Sequence, residues 1–519
     1  MSRKHSLVIG LSLAVFAQPL AAQTALPKTL SENAADLSAG RTTSVALVQA
    51  YLNRIAAIDD AGARVNAVII TNPDAIAQAR ALDAERASGR VRGPLHGIPI
   101  LLKDNIESAD TMATTAGSLA LRGSITRRDA PMVARLRAAG AIILGKTNLS
   151  EWANIMSSNS TSGYSAVGGL SRNPYQLDRN TSGSSAGSAA SMASRFAAGT
   201  VGTETDGSIT SPSSVNGVVG FKPTVGLVSR SRIVPISRSQ DTAGPITLTV
   251  RDAAIMLTAM AGSDPADPAT VEADARKVDY VAALNPTALR GLRIGIVRTS
   301  GTDEAVLSAA ITRLTQAGAT VVSVTFSGIN TAAIGTAENT VLLTELKVDL
   351  GLYLTGLPAG LVPSKSLADI IAFNKANAAT ELRFFGQDTF EQAQTTTGLN
   401  TTTYRNALAT ARRLSQAEGL DRLFTNNRLD LVVTQTNGRA WLSTLGRGDN
   451  FIPPSASQLP AVAGYPHLTV PMGQTNGLPI GLSFFGLKWA DAKVLAAGNA
   501  FETAGPSLSR APDFLPTRP

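Results

Sequence analysis

The chain contains no cysteine. Disulfides, thiol nucleophiles, iron–sulfur clusters and cysteine-ligated zinc are excluded at once. Histidine is almost as scarce, with only His5, His96 and His467 in 519 residues. A Ser-His-Asp triad or a three-histidine metal site would use up nearly that whole supply, so hydrolytic chemistry in this chain is expected to run without histidine. Aromatic residues stand at 5% and charged residues at 16%, against 45 glycines. That profile fits a turn-rich folded enzyme and not a coiled coil or a disordered chain. The net charge is +8, but no stretch concentrates Lys and Arg as a nucleic-acid patch would, so no nucleic-acid partner is expected.

Long apolar runs are missing too, apart from one at the start. "MSRKHSLVIGLSLAVFAQPLAAQTA" has a basic head, an apolar stretch from Leu7 to Ala17, then "QPLAA" ahead of Ala22. This is the layout of a secretory signal peptide over 1–22, too short for a membrane span of about 20 residues. The expectation is an exported chain, periplasmic or secreted, with no stable membrane anchor after cleavage and one domain over 23–519.

Short apolar strands alternating with helical stretches fill the remainder. "TTSVALVQAYLNRIAAID" sets Val45, Val48, Leu52 and Ile55 at helical spacing, with Thr43 or Ser44 as cap. A second helix is expected from about Asp74 to Ser88, stopping at Gly89, and "PMVARLRAAG" reads as a helix closed by Gly140. Strands are expected at "IPILL", "AIIL", "GTVGT", "LRIGIV", "TVVSVTF" and "LDLVVT", and as a terminal hairpin turning at Asn476-Gly477. The pattern predicts an α/β fold whose mixed central sheet is covered by helices on both faces. Past about Asp264 the chain becomes richer in proline and more polar, which marks a sub-region.

"GAIILGKT", from Gly140 to Thr147, matches the phosphate-loop pattern letter for letter. The match lacks its context. The loop that pattern needs lies between a strand and a helix, whereas here a helix precedes Gly140 and the intervening residues form an apolar strand.

Two features carry chemistry. In "HGIPILLKDNI" a lysine, Lys103, closes an apolar strand. Such a lysine either snorkels to water or lies buried and neutral, with its pKa brought from about 10.4 to about 7–8, where it serves as a general base. Lys146 also follows an apolar strand and competes for that role. The second feature is a serine-rich centre, with ten serines between Ser182 and Ser214. Helix-forming and apolar residues interrupt it, so it is no flexible linker. "AGSAASMASRFAAG" reads as a small-residue helix after a glycine turn, and "TETDGS" as a loop whose N–H groups converge on an oxyanion.

These segments, "GPLHGIPILLKDNI", "TSGSSAGSAA" and "GTETDGSI…GVVGFKPT", resemble the amidase signature family. "GKTNLSEWAN", "SRNPY", "SQDTAGP" and "YPHLTVPMG…GLPIGLSFFG" extend the resemblance from about Leu37 to Gly486, and it falls closest to bacterial peptide amidases. The resemblance implies a Ser-Ser-Lys triad of Lys103, Ser184 and Ser208, with Ser184 entered through a cis peptide bond and Ser208 as nucleophile. It implies an oxyanion hole from the backbone N–H groups of Thr205, Asp206, Gly207 and Ser208, and neither metal nor cofactor. Ser182 and Ala186 stand where many members have glycine, Glu204 where most have Asp, and Asp206 where many have Gly. Ser185 is the rival to Ser184. Asp104 and Asn105 are candidates to orient the lysine loop, Trp152, Asn154 and Gln240 to line the cleft, and Asp241 reads as structural. The implied activity is hydrolysis of a small-molecule or peptide carboxamide, with C-terminal peptide amides first. Anilides, fatty amides and other small amides are the alternative, and a catalytically silent amide-binding protein is the remote one.

Overall fold

The structure, a computed structural model, describes residues 28–516, so the segment read as a signal peptide lies outside the described residues. Its thirteen strands, in chain order, are β1 Val68–Thr71, β2 Pro99–Lys103, β3 Ile142–Thr147, β4 Tyr164–Ser165, β5 Gly169–Leu170, β6 Gly199–Glu204, β7 Val219–Lys222, β8 Thr242–Thr247, β9 Arg293–Val297, β10 Thr320–Val324, β11 Leu431–Gln435, β12 His467–Thr475 and β13 Leu478–Phe485. Eleven form one sheet in the order β1-β3-β2-β6-β8-β7-β12-β13-β11-β9-β10, while β4 and β5 pair separately.

The sheet is mixed. β2 runs parallel to both β3 and β6, β11 to β9 and β9 to β10, and the remaining pairs are antiparallel. Every residue of β2, β3, β6, β7, β8, β11 and β13 is buried. Side chains alternate between the two faces of a strand, so unbroken burial means both faces of the sheet are covered. This is the expected α/β architecture, in a single large unit.

The helices that cover the sheet begin and end where their sequences say. Thr43, and not Ser44, caps the helix Ser44–Arg54 by accepting from the Ala46 N–H. The second expected helix runs Ala75–Ala87, and Gly89 follows at φ +83°. Helix Pro131–Ala138 ends before Gly140, whose φ is +93°. The phosphate-loop lookalike is mainly strand β3, which extends beyond "AIIL" through Lys146 to Thr147 and is paired on both sides.

The small-residue helix spans Ala186–Ala193, ending short of the expected segment, and every residue in it is buried. Its composition follows from how closely it lies on its neighbours. A Cβ on Gly187 would meet the Ala67 carbonyl oxygen at 2.3 Å and the Asn148 backbone at 2.5 Å, so only glycine fits.

The polar sub-region divides into two parts. Residues 331–427 supply helices, the longest being Thr331–Thr355, while β9–β13 return to the main sheet. That long helix lays one face on the segment that leads into β8. Glu345 accepts from the Ser239 N–H at 3.1 Å and from the Ser239 hydroxyl at 2.9 Å. Asp349 accepts from the Arg238 Nε at 2.8 Å and pairs with that guanidinium. Among the described residues no helix is long and apolar enough to cross a membrane.

Candidate active site

Lys103 ends β2 with no exposed surface. Its Nζ lies 2.7 Å from Ser184 Oγ, 2.8 Å from Thr203 Oγ1 and 3.3 Å from the Thr203 carbonyl oxygen. Burial pushes the ammonium down from 10.5 to about 7, while Asp241 and Glu204, acting through space, oppose the shift. A neutral amine in this place has two N–H groups for the two Thr203 oxygens and a lone pair for the Ser184 hydroxyl.

The competing lysine is differently engaged. Lys146 Nζ donates to Thr114 Oγ1 at 2.9 Å and to the Ile106 carbonyl, tying down the loop that follows β2. None of its partners is a serine. The geometry therefore favours Lys103.

Ser184 follows a cis peptide bond from Gly183 and is 1% exposed. Its carbonyl accepts from the Ser150 N–H at 3.0 Å, which fixes the turn that presents Oγ to the lysine. Ser185 faces elsewhere. Its hydroxyl donates to the Thr203 carbonyl at 3.0 Å and accepts from the Thr203 N–H at 3.2 Å, so it latches the turn to β6. Ser182 holds φ +56°, the left-handed region that glycine adopts without strain, and its hydroxyl lies 2.9 Å from Ser211 Oγ. Ala186 opens the buried helix.

The loop after β6 is folded back by Glu204. Its Oε2 accepts from the Ile209 N–H at 2.7 Å and the Thr210 N–H at 2.9 Å, enclosing residues 205–208. Thr205 Oγ1 donates to Asp241 Oδ1 at 2.6 Å, and Asp241 Oδ2 accepts from the N–H groups of Ile236 and Ser237. Asp241 is thus an anchor, as read from the sequence. Gly207 takes φ +79°, which lets the chain reverse at this point.

Among the described residues the N–H groups of Asp206, Gly207 and Ser208 donate to no protein acceptor. Ser208 is 9% exposed, the nearest of the three predicted residues to solvent, and its carbonyl accepts from the Ser185 N–H at 3.1 Å. That bond brings the loop alongside the Ser184 turn. The structure thus brings Lys103, Ser184 and the Ser208 loop into one place.

The remaining expectations divide. Asn105 donates to Thr203 Oγ1 at 2.9 Å and so helps set the lysine's partner, while Asp104 accepts from the Thr115 N–H at 3.2 Å. A cavity of about 30 Å³ beside Thr203, Thr205 and Asp241 is lined by Ala153, and by none of Trp152, Asn154 and Gln240. Trp152 packs edge-on against Phe390, with ring centroids 5.7 Å apart. Gln240 donates to Glu338 Oε1 at 2.9 Å.

Neither internal histidine joins the site. His96 accepts from the Arg92 N–H through Nδ1, and its Nε2 lies 2.9 Å from the Leu82 carbonyl. His467 Nε2 lies 2.6 Å from Ser483 Oγ, and burial takes its pKa down to about 3, with Lys222 adding to the shift. Among the described residues no group of three His, Asp or Glu side chains is arranged to hold a metal ion.

Sequence reasoning missed three nearby groups. Thr203, which takes two contacts from Lys103, lies in the expected strand but is an ordinary β-branched residue there. Lys222 at the end of β7 is buried, and burial brings its pKa down to about 8. Glu338 lies in a helix whose polar residues carry no motif.

A buried lysine against a serine on a cis peptide, next to a loop with uncommitted N–H groups, defines a hydrolase-type acyl-transfer site without histidine. The amidase family model matches residues 46–495, and the chain belongs to this amidase signature family, enzymes acting on amide C–N bonds. A probable amidase of Arabidopsis thaliana is 41% identical, with 92% of this chain and 89% of that protein covered. The native peptide amidase of Stenotrophomonas maltophilia is similar in structure, with a TM-score of 0.89, 48% identity and coverage of 95% of this chain and 99% of that one. A peptide amidase bound to the competitive inhibitor chymostatin matches with a TM-score of 0.90, 49% identity and the same coverage.

Proposed function

We propose that the chain hydrolyses carboxamides, the C-terminal amides of peptides foremost, to acid and ammonia through Lys103, Ser184 and Ser208. The observation that carries this reading is the 2.7 Å contact between a fully buried Lys103 and Ser184 Oγ. The likeness to peptide amidases, one bound to a peptide-like inhibitor, supports the substrate class.

In the first half-reaction the Ser208 hydroxyl gives its proton to Ser184 Oγ while Ser184 passes its own to neutral Lys103. The new C–O bond forms as the carbonyl π pair moves onto oxygen, where the N–H groups of the 205–208 loop stabilise the charge. Lys103 then returns the proton through Ser184 to the amide nitrogen. The C–N bond breaks, ammonia leaves and an ester to Ser208 remains. Water repeats the sequence on that ester, releasing the acid and restoring Ser208.

The test is ammonia and amine release from a panel of peptide amides, anilides and fatty amides, alongside Lys103→Ala, Ser184→Ala and Ser208→Ala. All three variants are expected to lose activity by about a thousandfold or more, non-additively when combined. Undiminished turnover in Lys103→Ala or Ser208→Ala overturns the mechanism, and turnover of anilides alone overturns the substrate class. We also propose export, tested by sequencing the amino terminus of the mature protein from a periplasmic fraction. An intact first residue there argues against cleavage.

A further inference from the structure

We propose that Ser182 and Ser211 are positioning residues: the bond between their hydroxyls locks the turn that carries Ser184 to the loop that carries Ser208, and so aims an oxyanion donor. The inference rests on the reading of Ser184 and Ser208 given above and names what holds those two serines in register.

The turn and the loop pass each other antiparallel and are joined at two points. At one, the Ser185 N–H donates to the Ser208 carbonyl at 3.1 Å. At the other, Ser182 Oγ lies 2.9 Å from Ser211 Oγ. The two bridges stand three positions apart on each segment, and Ser184 falls between them. A single bond is a pivot about which the loop can turn, whereas two bonds fix both its distance and its angle. Proton passage from Ser208 to Ser184 depends on both.

Ser211 also acts on the loop directly. Its N–H donates to the Gly207 carbonyl at 2.8 Å. A trans peptide unit is planar, so its C=O and N–H point in opposite directions. Holding the Gly207 carbonyl on Ser211 therefore turns the Ser208 N–H the other way, where no protein acceptor among the described residues takes it. That N–H is one of those assigned to the oxyanion. Whatever moves Ser211 moves this donor.

The Ser211 hydroxyl is held from two sides. It has one proton and two lone pairs. Asn437 Nδ2 donates to one lone pair, and Asn437 is itself fixed by Gln435, whose Nε2 donates to its carbonyl at 2.8 Å. Ser182 supplies the second contact. Ser182 and Asn437 are both buried, which leaves water little room to replace either. The Ser182 backbone is strained to make that contact. Its φ of +56° suits glycine, and Asn180 Oδ1 keeps it there by accepting the Ser182 N–H at 2.6 Å. The side chain that glycine would lack is the one that reaches Ser211.

The experiment compares wild type with Ser182→Gly, Ser182→Ala, Ser211→Ala and the double variant Ser182→Gly/Ser211→Ala, on the peptide amide the wild type turns over best. Ser182→Gly relieves the backbone as it removes the hydroxyl, so its melting temperature is expected to stay close to wild type. Both Ser182 variants are expected to lower kcat about tenfold with KM little changed. A peptide aldehyde, whose adduct with Ser208 places an oxyanion in the loop, should bind more weakly by the same factor, while the product acid binds as before. The double variant should lose no more than Ser211→Ala alone, because both changes break one bond. Wild-type kcat and aldehyde affinity in Ser182→Gly overturn the proposal. So do additive losses in the double variant, or a loss confined to KM and melting temperature. A wild type that releases no ammonia from any amide sinks the amidase reading, and labelling of Ser208 by a fluorophosphonate then decides the lock alone. Slower labelling in Ser182→Gly than in wild type supports it, and an equal rate overturns it.

Discussion

Lys103 shows what a buried lysine costs the fold. In the unfolded chain it takes up a proton below 10.5, whereas in the native state it does so only below about 7. Between those values the unfolded state binds more protons, so this residue's contribution to stability rises with pH, and its penalty is complete below about 7. Two outcomes follow. kcat/KM of the free enzyme should climb as pH passes upward through about 7, the value set by burial, in a pH–rate profile. Lys103→Met should abolish turnover yet raise the melting temperature near neutral pH. A flat profile or a destabilised Lys103→Met would contradict the base assignment. The neighbouring serines give a second contrast. Ser185→Ala removes the latch on Thr203 and should cost about 1–3 kcal/mol in a denaturant titration while leaving appreciable turnover, unlike Ser184→Ala.

At the scale of elements, the helix Ala186–Ala193 ties the turn that carries Ser184 to the sheet. Gly187→Ala would drive a methyl into backbone on two sides and should lower stability by several kcal/mol, about the scale of severe overpacking, with activity lost in parallel. A melting curve equal to wild type would show that the helix can shift. Much at this level was legible in the residues. Apolar runs marked β2, β3 and β11, glycines marked helix stops at Gly89 and Gly140, and Asn476-Gly477 marked the last hairpin, whose turn residues have φ of +53° and +76°. What escaped is equally instructive. β7 and β8 are short and glycine-bearing, with no alternation to betray them, because both their faces are covered. The segments that hold the proposed triad stand out as long motifs, but the residues packed around them do not. Thr203 and Glu338 are ordinary residues until the fold sets them beside Lys103 and Gln240, and Glu338 lies 98 positions from Gln240.

Across the whole molecule, buried acid groups join the helical region 331–427 to the half that carries Lys103. Burial above all, then the negative charge of Glu381, raises the Glu151 pKa well above its usual value. Glu381 in turn accepts from the Leu119 N–H at 2.7 Å and the Ser118 hydroxyl at 3.1 Å. From 4.5 upward the unfolded Glu151 has shed its proton while the folded one keeps it, so its contribution to stability falls as pH rises. Glu151→Gln can still donate to Glu381 and accept from the Ala166 N–H, so it should narrow the gap between denaturation midpoints measured in mild acid and in mild alkali. An unchanged gap would place the titration elsewhere. The order of strands has a consequence for synthesis. β12 and β13, made after the other described strands, fill the middle of the sheet between β7 and β11. A growing chain therefore leaves the inner edges of β7 and β11 without their sheet partners until both strands have been translated, and their insertion joins the two halves of the sheet.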